Sequence, residues 1–380
     1  MLLKNAQLLN DRFEWETGDL RICNGKIAEI GPNLTEDGET LDCTGLHVTP
    51  GLIDVHTHGA VGTDYSRTNP AAIAQALRFE AQHGVTAVLP TMMTMPEAMI
   101  ADALHALREY LRAPDETAAW VPGAHMEGPF FSMSKRGAQP AEWIAAPDMA
   151  MLRRLNPDGL VRLIAVAPET DGALDFIREA ARTMTVSVGH TAADYETACA
   201  AFAAGATEAT HLYNGMTGAT HRAPGVVGAV WDTAGVNAEL ISDGRHVHPA
   251  IVRATFRLLG RHVMLISDSL VLTGMAEGTQ GEDVAGHHIT VRNGRCELDD
   301  GTIAGSITPL DECVRRAISF GIAPADAFFA ASMAPARAVK LDGETGSLTP
   351  GKRADILVTD AAYRPRHVFV GGVPVPAAEK

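Results

Sequence analysis

Residues 52–91 read LIDVHTHGAVGTDYSRTNPAAIAQALRFEAQHGVTAVLPT, and the order of periodicities in this stretch decides the fold. The run at 52–58 is apolar and β-branched, with the length and composition of a buried strand. Asn69-Pro70 then opens a helix, because Asn caps free N–H groups and Pro fits the first turn. Residues 70–84 carry apolar side chains at helical spacing and stop at Gly84. A second strand-like run, VTAVLPT at 85–91, follows at once. Strand, helix and strand in this order form a βαβ unit with parallel strands.

The same unit recurs outward along the chain. Further apolar runs lie at 119–128, 160–168, 185–190, 206–212, 236–244 and 262–269, bringing the count to eight. Most are followed by Ala/Leu-rich segments of helical period, such as 96–111, 173–184 and 194–205, the last stopping at Gly205. Eight such units predict a (β/α)8 TIM-type barrel over residues 53–344. The flanks, 1–52 and 345–380, are β-rich and cut by turns such as Asn24-Gly25 and Pro50-Gly51. Neither flank is long enough to bury a core alone, so the two ends are expected to pair into one small β-sandwich.

Composition narrows the function classes. Of 380 residues, 46% are hydrophobic and 20% charged, which suits a large packed core. The net charge of −15 repels nucleic-acid backbones and anionic lipid surfaces, so neither partner is expected. A small anionic substrate would require a locally basic pocket. The five cysteines are scattered and never form a CxxC pair, which argues against disulfides and thiolate zinc sites. The start of the chain breaks its apolar character at Lys4, Asn5 and Gln7, unlike a signal peptide. With no apolar run of the ~20 residues a membrane helix needs, a cytoplasmic enzyme is the expectation.

Parallel barrels collect reactive side chains at the C-terminal ends of their strands. The first run ends in His56 and His58, the third in Glu127, the fifth in His190, the sixth in His211 and the eighth in Asp268. Side chains two apart on a strand point the same way, so His56 and His58 can reach one cation. A lone strand-end histidine is commonly a hydrogen-bonded core residue; five metal-competent side chains at one end favour ligation. Glu127 is costly to bury without a cation or a basic partner. His125 shares its strand parity, either as support for the ligands or as a core residue. Asp268 either caps a turn or acts as general base to a metal-activated water. Between His58 and His190 the only lysine is Lys135, in a polar loop, so Glu127 is a better bridging group than a carboxylated lysine.

With these residues in place, the chain resembles the amidohydrolase superfamily and, within it, the N-acetylglucosamine-6-phosphate deacetylase family. The segments carrying the resemblance are TPGLIDVHTHG (49–59), GAHMEGPF (123–130), SVGHTAAD (187–194), THLYNGM (210–216), APGVVGA (223–229), ISDGRHVHP (241–249), LISDS (265–269), IAGS (303–306) and GSLTPGKRADILV (346–358). The resemblance implies Glu127, His190 and His211 as a main metal site, His56 and His58 as a second, and Asp268 as the catalytic aspartate. It implies substrate contacts from Ala138, Gln139, Asn214, Gly215 and His246, and from the backbones of Ile303, Ala304 and Gly305. Arg222 would reach the phosphate bound by a neighbouring subunit, which implies a homodimer. The implied cofactor is one or two divalent cations per subunit, Zn2+ first, with Fe2+, Co2+ or Mn2+ able to occupy the same ligands.

The implied reaction is hydrolysis of N-acetyl-D-glucosamine 6-phosphate to D-glucosamine 6-phosphate and acetate. Gln139 departs from the pattern, since many relatives carry histidine there. Glutamine is neutral but still donates a hydrogen bond, and a second cation could take over part of the histidine's role. Three rivals stay open. They are a deacetylase of N-acetylgalactosamine 6-phosphate or another N-acyl amino sugar, a hydrolase of N-acyl amino acids or cyclic amides, and a non-catalytic barrel.

Overall fold

The computed structural model describes residues 1–35, 38–299, 301 and 303–377. Eight parallel strands run in sequential neighbour order: β1 (Leu52–Thr57), β2 (Val85–Met92), β3 (Ala124–Glu127), β4 (Val161–Val166), β5 (Thr185–Val188), β6 (Glu208–Ala209), β7 (Asn237–Leu240) and β8 (Val263–Leu265). Hydrogen bonds just beyond the strand ends close the seam between β8 and β1. Asp268 N–H donates to His56 O at 2.9 Å and His58 N–H to Ser269 O at 2.8 Å. The barrel seam therefore runs through the ends that carry the candidate ligands.

A helix follows each strand, α1 (Pro70–Gln82), α2 (Glu97–Leu111), α3 (Met149–Leu155), α4 (Ala173–Ala180), α5 (Tyr195–Ala204), α6 (Gly225–Asp232), α7 (Pro249–Leu259) and α8 (Leu310–Ser319), and α9 (Pro324–Ala330) and α10 (Met333–Ala338) come after the last. Helix α1 begins as the sequence reading expects, with Asn69 accepting from Ala71 and Ala72 N–H at 3.1 Å each. One large apolar cluster joins the outer strand faces to the helices, including Leu77, Val88, Ile164 and Phe328. A smaller cluster fills the barrel, built from Ile53, Val55, Ala87, Leu89, Leu163, Ile241 and Ile266 against Ala336, Val339 and Leu341.

Strict alternation from Ile53 and Val55 would turn His56 out of the barrel. The pairing of β1 with β2 shifts register between Asp54 and Thr57. That irregularity reverses the parity and lets both imidazoles face inward.

Both chain ends pair into one eight-stranded sheet, formed from strands within residues 2–50 and 356–374, around a core that includes Leu3, Leu8, Leu20, Ile356 and Phe369. A further four-stranded antiparallel sheet follows β8, with strands Gln280–Glu282, His288–Arg292, Arg295–Leu298 and Ile303–Gly305. The sequence alone predicts no element in this region. No helix among the described residues is long and apolar enough to cross a membrane.

Candidate metal centre and its pocket

All six strand-end residues converge over the barrel mouth. His56 lies one residue before the end of β1 and Glu127 ends β3, while His58, His190, His211 and Asp268 lie just beyond β1, β5, β6 and β8. Their backbones explain the convergence. His190 (φ 46°), His211 (φ 29°) and Asp268 (φ 48°) occupy the left-handed region that non-glycine residues rarely adopt. Such strain concentrates at functional sites, where it turns a side chain off its strand and over the opening.

Glu127 is the hub. Its Oε1 lies 2.9 Å from His190 Nε2, 3.1 Å from His211 Nε2 and 3.4 Å from His56 Nε2, and its Oε2 lies 3.3 Å from His58 Nε2. Asp268 Oδ1 stands 3.4 Å from His58 Nε2 and 3.6 Å from His56 Nε2. Each ring's other nitrogen faces an acceptor: His56 Nδ1 faces Glu239 Oε2 (2.8 Å), His58 Nδ1 faces Thr91 O (3.2 Å), His190 Nδ1 faces Lys135 O (3.0 Å) and His211 Nδ1 faces Asn214 O (3.1 Å). With Nδ1–H donated outward, four Nε2 lone pairs can point at one small volume, the arrangement of metal-bound histidines.

Two observations test whether a divalent cation fits. His190 and His211 present Nε2 atoms only 3.1 Å apart, a repulsive meeting of lone pairs unless a cation or proton lies between them. His56 Nε2 is fully buried, aimed at the same gap and without a hydrogen-bond partner among the described residues. Glu127, His190 and His211 form one group of ligand atoms within 4.8 Å of one another, and His56, His58 and Asp268 form a second. Imidazole nitrogen with carboxylate oxygen suits Zn2+ and its divalent neighbours. The residues fit the group.

Electrostatics point the same way. Burial pushes Glu127 up, but the His190 and His56 charges, with hydrogen bonds from His190 and His211, hold its carboxyl well below the usual range. Burial pulls His58 down, yet hydrogen bonds to Asp268 and Glu127 lift it to about 9. His56 and His211 are raised too, despite burial, chiefly by Glu239 and Glu127 for the first and by Glu127 for the second. In the cation-free chain His56 and His58 hold protons at neutral pH, and a cation must displace them. Cation affinity should therefore increase as pH rises towards about 9, with net proton release on binding. Calorimetry in two buffers of different ionisation enthalpy measures this, and zero release would overturn the assignment of these imidazoles as ligands.

A cavity of about 230 Å3 opens above the cluster, lined by His58, Glu127, His190, His211 and Asp268. Ala138, Gln139, Asn214, Gly215, His246, Ala304 and Gly305 also line it, as the sequence reading expects. Ile303 opens the strand that carries Ala304 and Gly305. His56 lies beneath the cavity, fully buried. Arg222 lies outside, in a separate depression with Asp194, Tyr195 and Glu196. The Asn214 backbone N–H is already donated to His211 O at 2.9 Å, and its side-chain Nδ2 donates to His211 O and Leu212 O at 3.3 and 3.5 Å. The Gln139 amide is fixed at both ends, accepting from Thr94 N–H (2.8 Å) and donating to Glu127 Oε2 (2.5 Å). Lys135 contributes its carbonyl to His190.

Sequence reasoning missed Glu239 and Arg245. Glu239 Oε2 accepts from both His56 Nδ1 and His211 N–H, the latter at 3.0 Å. Burial would raise its carboxyl, but the His56 charge holds it at about 2. Its neighbour Glu208 is raised far above the usual range by burial and by Glu239, so a neutral acid sits beside a carboxylate. The signal was present, because a carboxylate inside the apolar run VNAELISDG needs a partner as Glu127 does. Arg245 lines the cavity beside His246.

Comparison with known proteins agrees with this geometry. Residues 47–375 match the model of the amidohydrolase family. An N-acetylgalactosamine-6-phosphate deacetylase of Escherichia coli O157:H7 is 34% identical over 378 residues, covering 98% of each chain. An N-acetylglucosamine-6-phosphate deacetylase of Bacillus subtilis is 32% identical, covering 95% of this chain and 93% of that one. The crystal structure of the N-acetylglucosamine-6-phosphate deacetylase of Pasteurella multocida superposes with a TM-score of 0.93 at 28% identity, covering 99% of each chain. An aspartate-to-alanine variant of the Mycobacterium smegmatis enzyme, in complex with N-acetyl-D-glucosamine-6-phosphate, gives 0.91 at 30% identity, again over 99% of each chain.

Proposed function

The chain belongs to the amidohydrolase family, and from that premise we propose that it removes the acetyl group from an amino-sugar 6-phosphate, N-acetyl-D-glucosamine 6-phosphate first among them. The products are D-glucosamine 6-phosphate and acetate. The observation that carries the reading is the convergence of four imidazole Nε2 atoms on Glu127 beside Asp268, on the wall of a cavity sized for a small molecule.

Glu127, His190 and His211 would hold one divalent cation, and His56 and His58, beside Asp268, a second; Zn2+ is the first choice. A cation there supplies Lewis acidity, polarising the amide carbonyl and making water acidic enough to attack near neutral pH. Asp268 accepts the proton of the attacking water. In the cation-free chain burial would raise its carboxyl, but a hydrogen bond with His58 and the charges of His56, His58 and His211 hold it below the usual range. As the carbon–nitrogen bond breaks, Asp268 returns the proton to the departing nitrogen, because an amide anion is too basic to leave.

Ala138, Gln139, Asn214, Gly215, His246 and the Ile303–Gly305 backbone would bind the sugar phosphate. Arg222, remote from its own chain's cavity, would serve a neighbouring subunit in a homodimer. The barrel body, 53–344, would carry the chemistry and the paired ends, 1–52 and 345–380, would brace it in a cytoplasmic enzyme. Because the Gln139 amide is committed to Glu127, carbonyl polarisation would fall to the cations, which favours two per chain.

The E. coli relative favours a second reading, N-acetylgalactosamine 6-phosphate, with the same chemistry. Free-amine release from both phosphorylated sugars and from unphosphorylated N-acetylglucosamine, before and after chelation and zinc return, decides between them. Chelator-sensitive release from N-acetylglucosamine 6-phosphate is the expected result. Preference for the galactose epimer would change the sugar, and no release from either phosphate would overturn the proposal. Metal analysis of the active protein would sink the two-cation reading at one ion per chain.

A further inference from the structure

A sugar phosphate entering this cavity meets an unfavourable field. That field is the molecule's net charge of −15, since Glu127 and Asp268 on the cavity wall would be compensated by the cations at their clusters. Among the described residues that line it, Arg245 is the sole lysine or arginine. His246 is the other cationic candidate, but its Nδ1 is paired with Asp243 Oδ2 at 2.7 Å, which offsets any charge it carries. Arg222 does not reach the cavity of its own chain.

Arg245 is also held ready. Asp243, buried, accepts from the Arg245 and His246 N–H groups at 2.8 and 2.9 Å, which bends the chain after β7 so that both side chains face the cavity. The guanidinium lies against Gly294, donating Nη1–H to its carbonyl. Gly294 has a positive φ of 66°, and a Cβ there would collide with the guanidinium. Glu277 fixes this turn, accepting from Asn293 N–H (2.6 Å) and Gly294 N–H (3.2 Å). Among the described residues the side chain donates only to Gly294 O, so most of its five N–H donors remain for a ligand. The sheet that seats Arg245 also supplies Ala304 and Gly305 to the cavity wall.

We propose that Arg245 is the counter-ion that this chain itself supplies to the substrate phosphate, and so sets the preference for phosphorylated over neutral amino sugars. This rests on the reading of the cavity as an amino-sugar-phosphate site. A guanidinium is permanently charged, and its planar fork matches two phosphate oxygens. Held in place before the ligand arrives, it costs little ordering on binding.

The test compares the wild-type chain with Arg245→Gln and Arg245→Lys, measuring KM and kcat on the phosphorylated sugar and the inhibition constant of the product, D-glucosamine 6-phosphate. Arg245→Gln should lower kcat/KM by roughly 10- to 100-fold, mostly through KM, and weaken product inhibition by a similar factor. Arg245→Lys should recover part of both losses, since it restores charge without the fork. A residue that only seats the hairpin would lower kcat, leave product inhibition unmoved and gain nothing from lysine, and that pattern overturns the proposal. Unchanged KM and unchanged product inhibition overturn it too. A wild-type chain inactive on every phosphorylated N-acetyl sugar would instead defeat the functional reading beneath it.

Discussion

Asp268→Asn should lower kcat by roughly a thousandfold, within the ~100- to 10,000-fold range that general acid–base catalysis contributes. The substitution keeps shape and one carbonyl oxygen but can neither accept the proton of water nor hand it on. Asp268 Oδ1 stands 3.4 Å from His58 Nε2 and 3.6 Å from His56 Nε2, so the charge lost is one that faces the reacting volume. A cation held by Glu127, His190 and His211 would lose no ligand, so at least one ion per chain should remain. Amine release gives the rate and elemental analysis the metal content. Turnover comparable to wild type, with metal retained, would remove Asp268 from the chemistry.

The candidate ligand residues were legible because two simple rules act on them together. Apolar strand runs announce the barrel, and polar residues at the ends of those runs must sit at its mouth; His56, His58, Glu127, His190, His211 and Asp268 all satisfy both. The details that orient them were not legible. The register shift between Asp54 and Thr57 is a pairing property of two strands, invisible in either alone. The left-handed backbones of His190, His211 and Asp268 carry no glycine to announce them. Arg245 is a third kind of case. Its seat is Gly294, forty-nine residues on, in a sheet whose short polar strands, such as Gln280–Glu282, show little hydrophobic alternation. Glu239 differs again, since applying the burial rule to β7 as to β3 finds it.

Glu127→Gln should do more damage than its size suggests, because this carboxylate touches four imidazoles. Its Oε1 faces His190, His211 and His56, and its Oε2 faces His58 and the Gln139 amide. A glutamine placed here offers one oxygen and one NH2. With the NH2 at the Oε2 position, two donors oppose each other at Gln139; with it at the Oε1 position, a donor points into the ligand cluster. Either orientation leaves a buried group unsatisfied and removes the anion that compensates a cation. Bound metal should fall below one ion per chain, and kcat/KM by a thousandfold or more. The chelated protein should also lose stability, by about 3–5 kcal/mol on the scale of breaking a buried ion pair. The sign follows from the carboxyl lying well below its ordinary range. Stability from such a group is present above its unfolded pKa and fades as pH falls through the folded one, so the deficit should be full at pH 7 and shrink in acid. Denaturant unfolding of chelated wild type and variant at pH 7 and pH 4 measures it. Full metal content in the variant, or a deficit that grows in acid, would show that Glu127 is not the hub of this site.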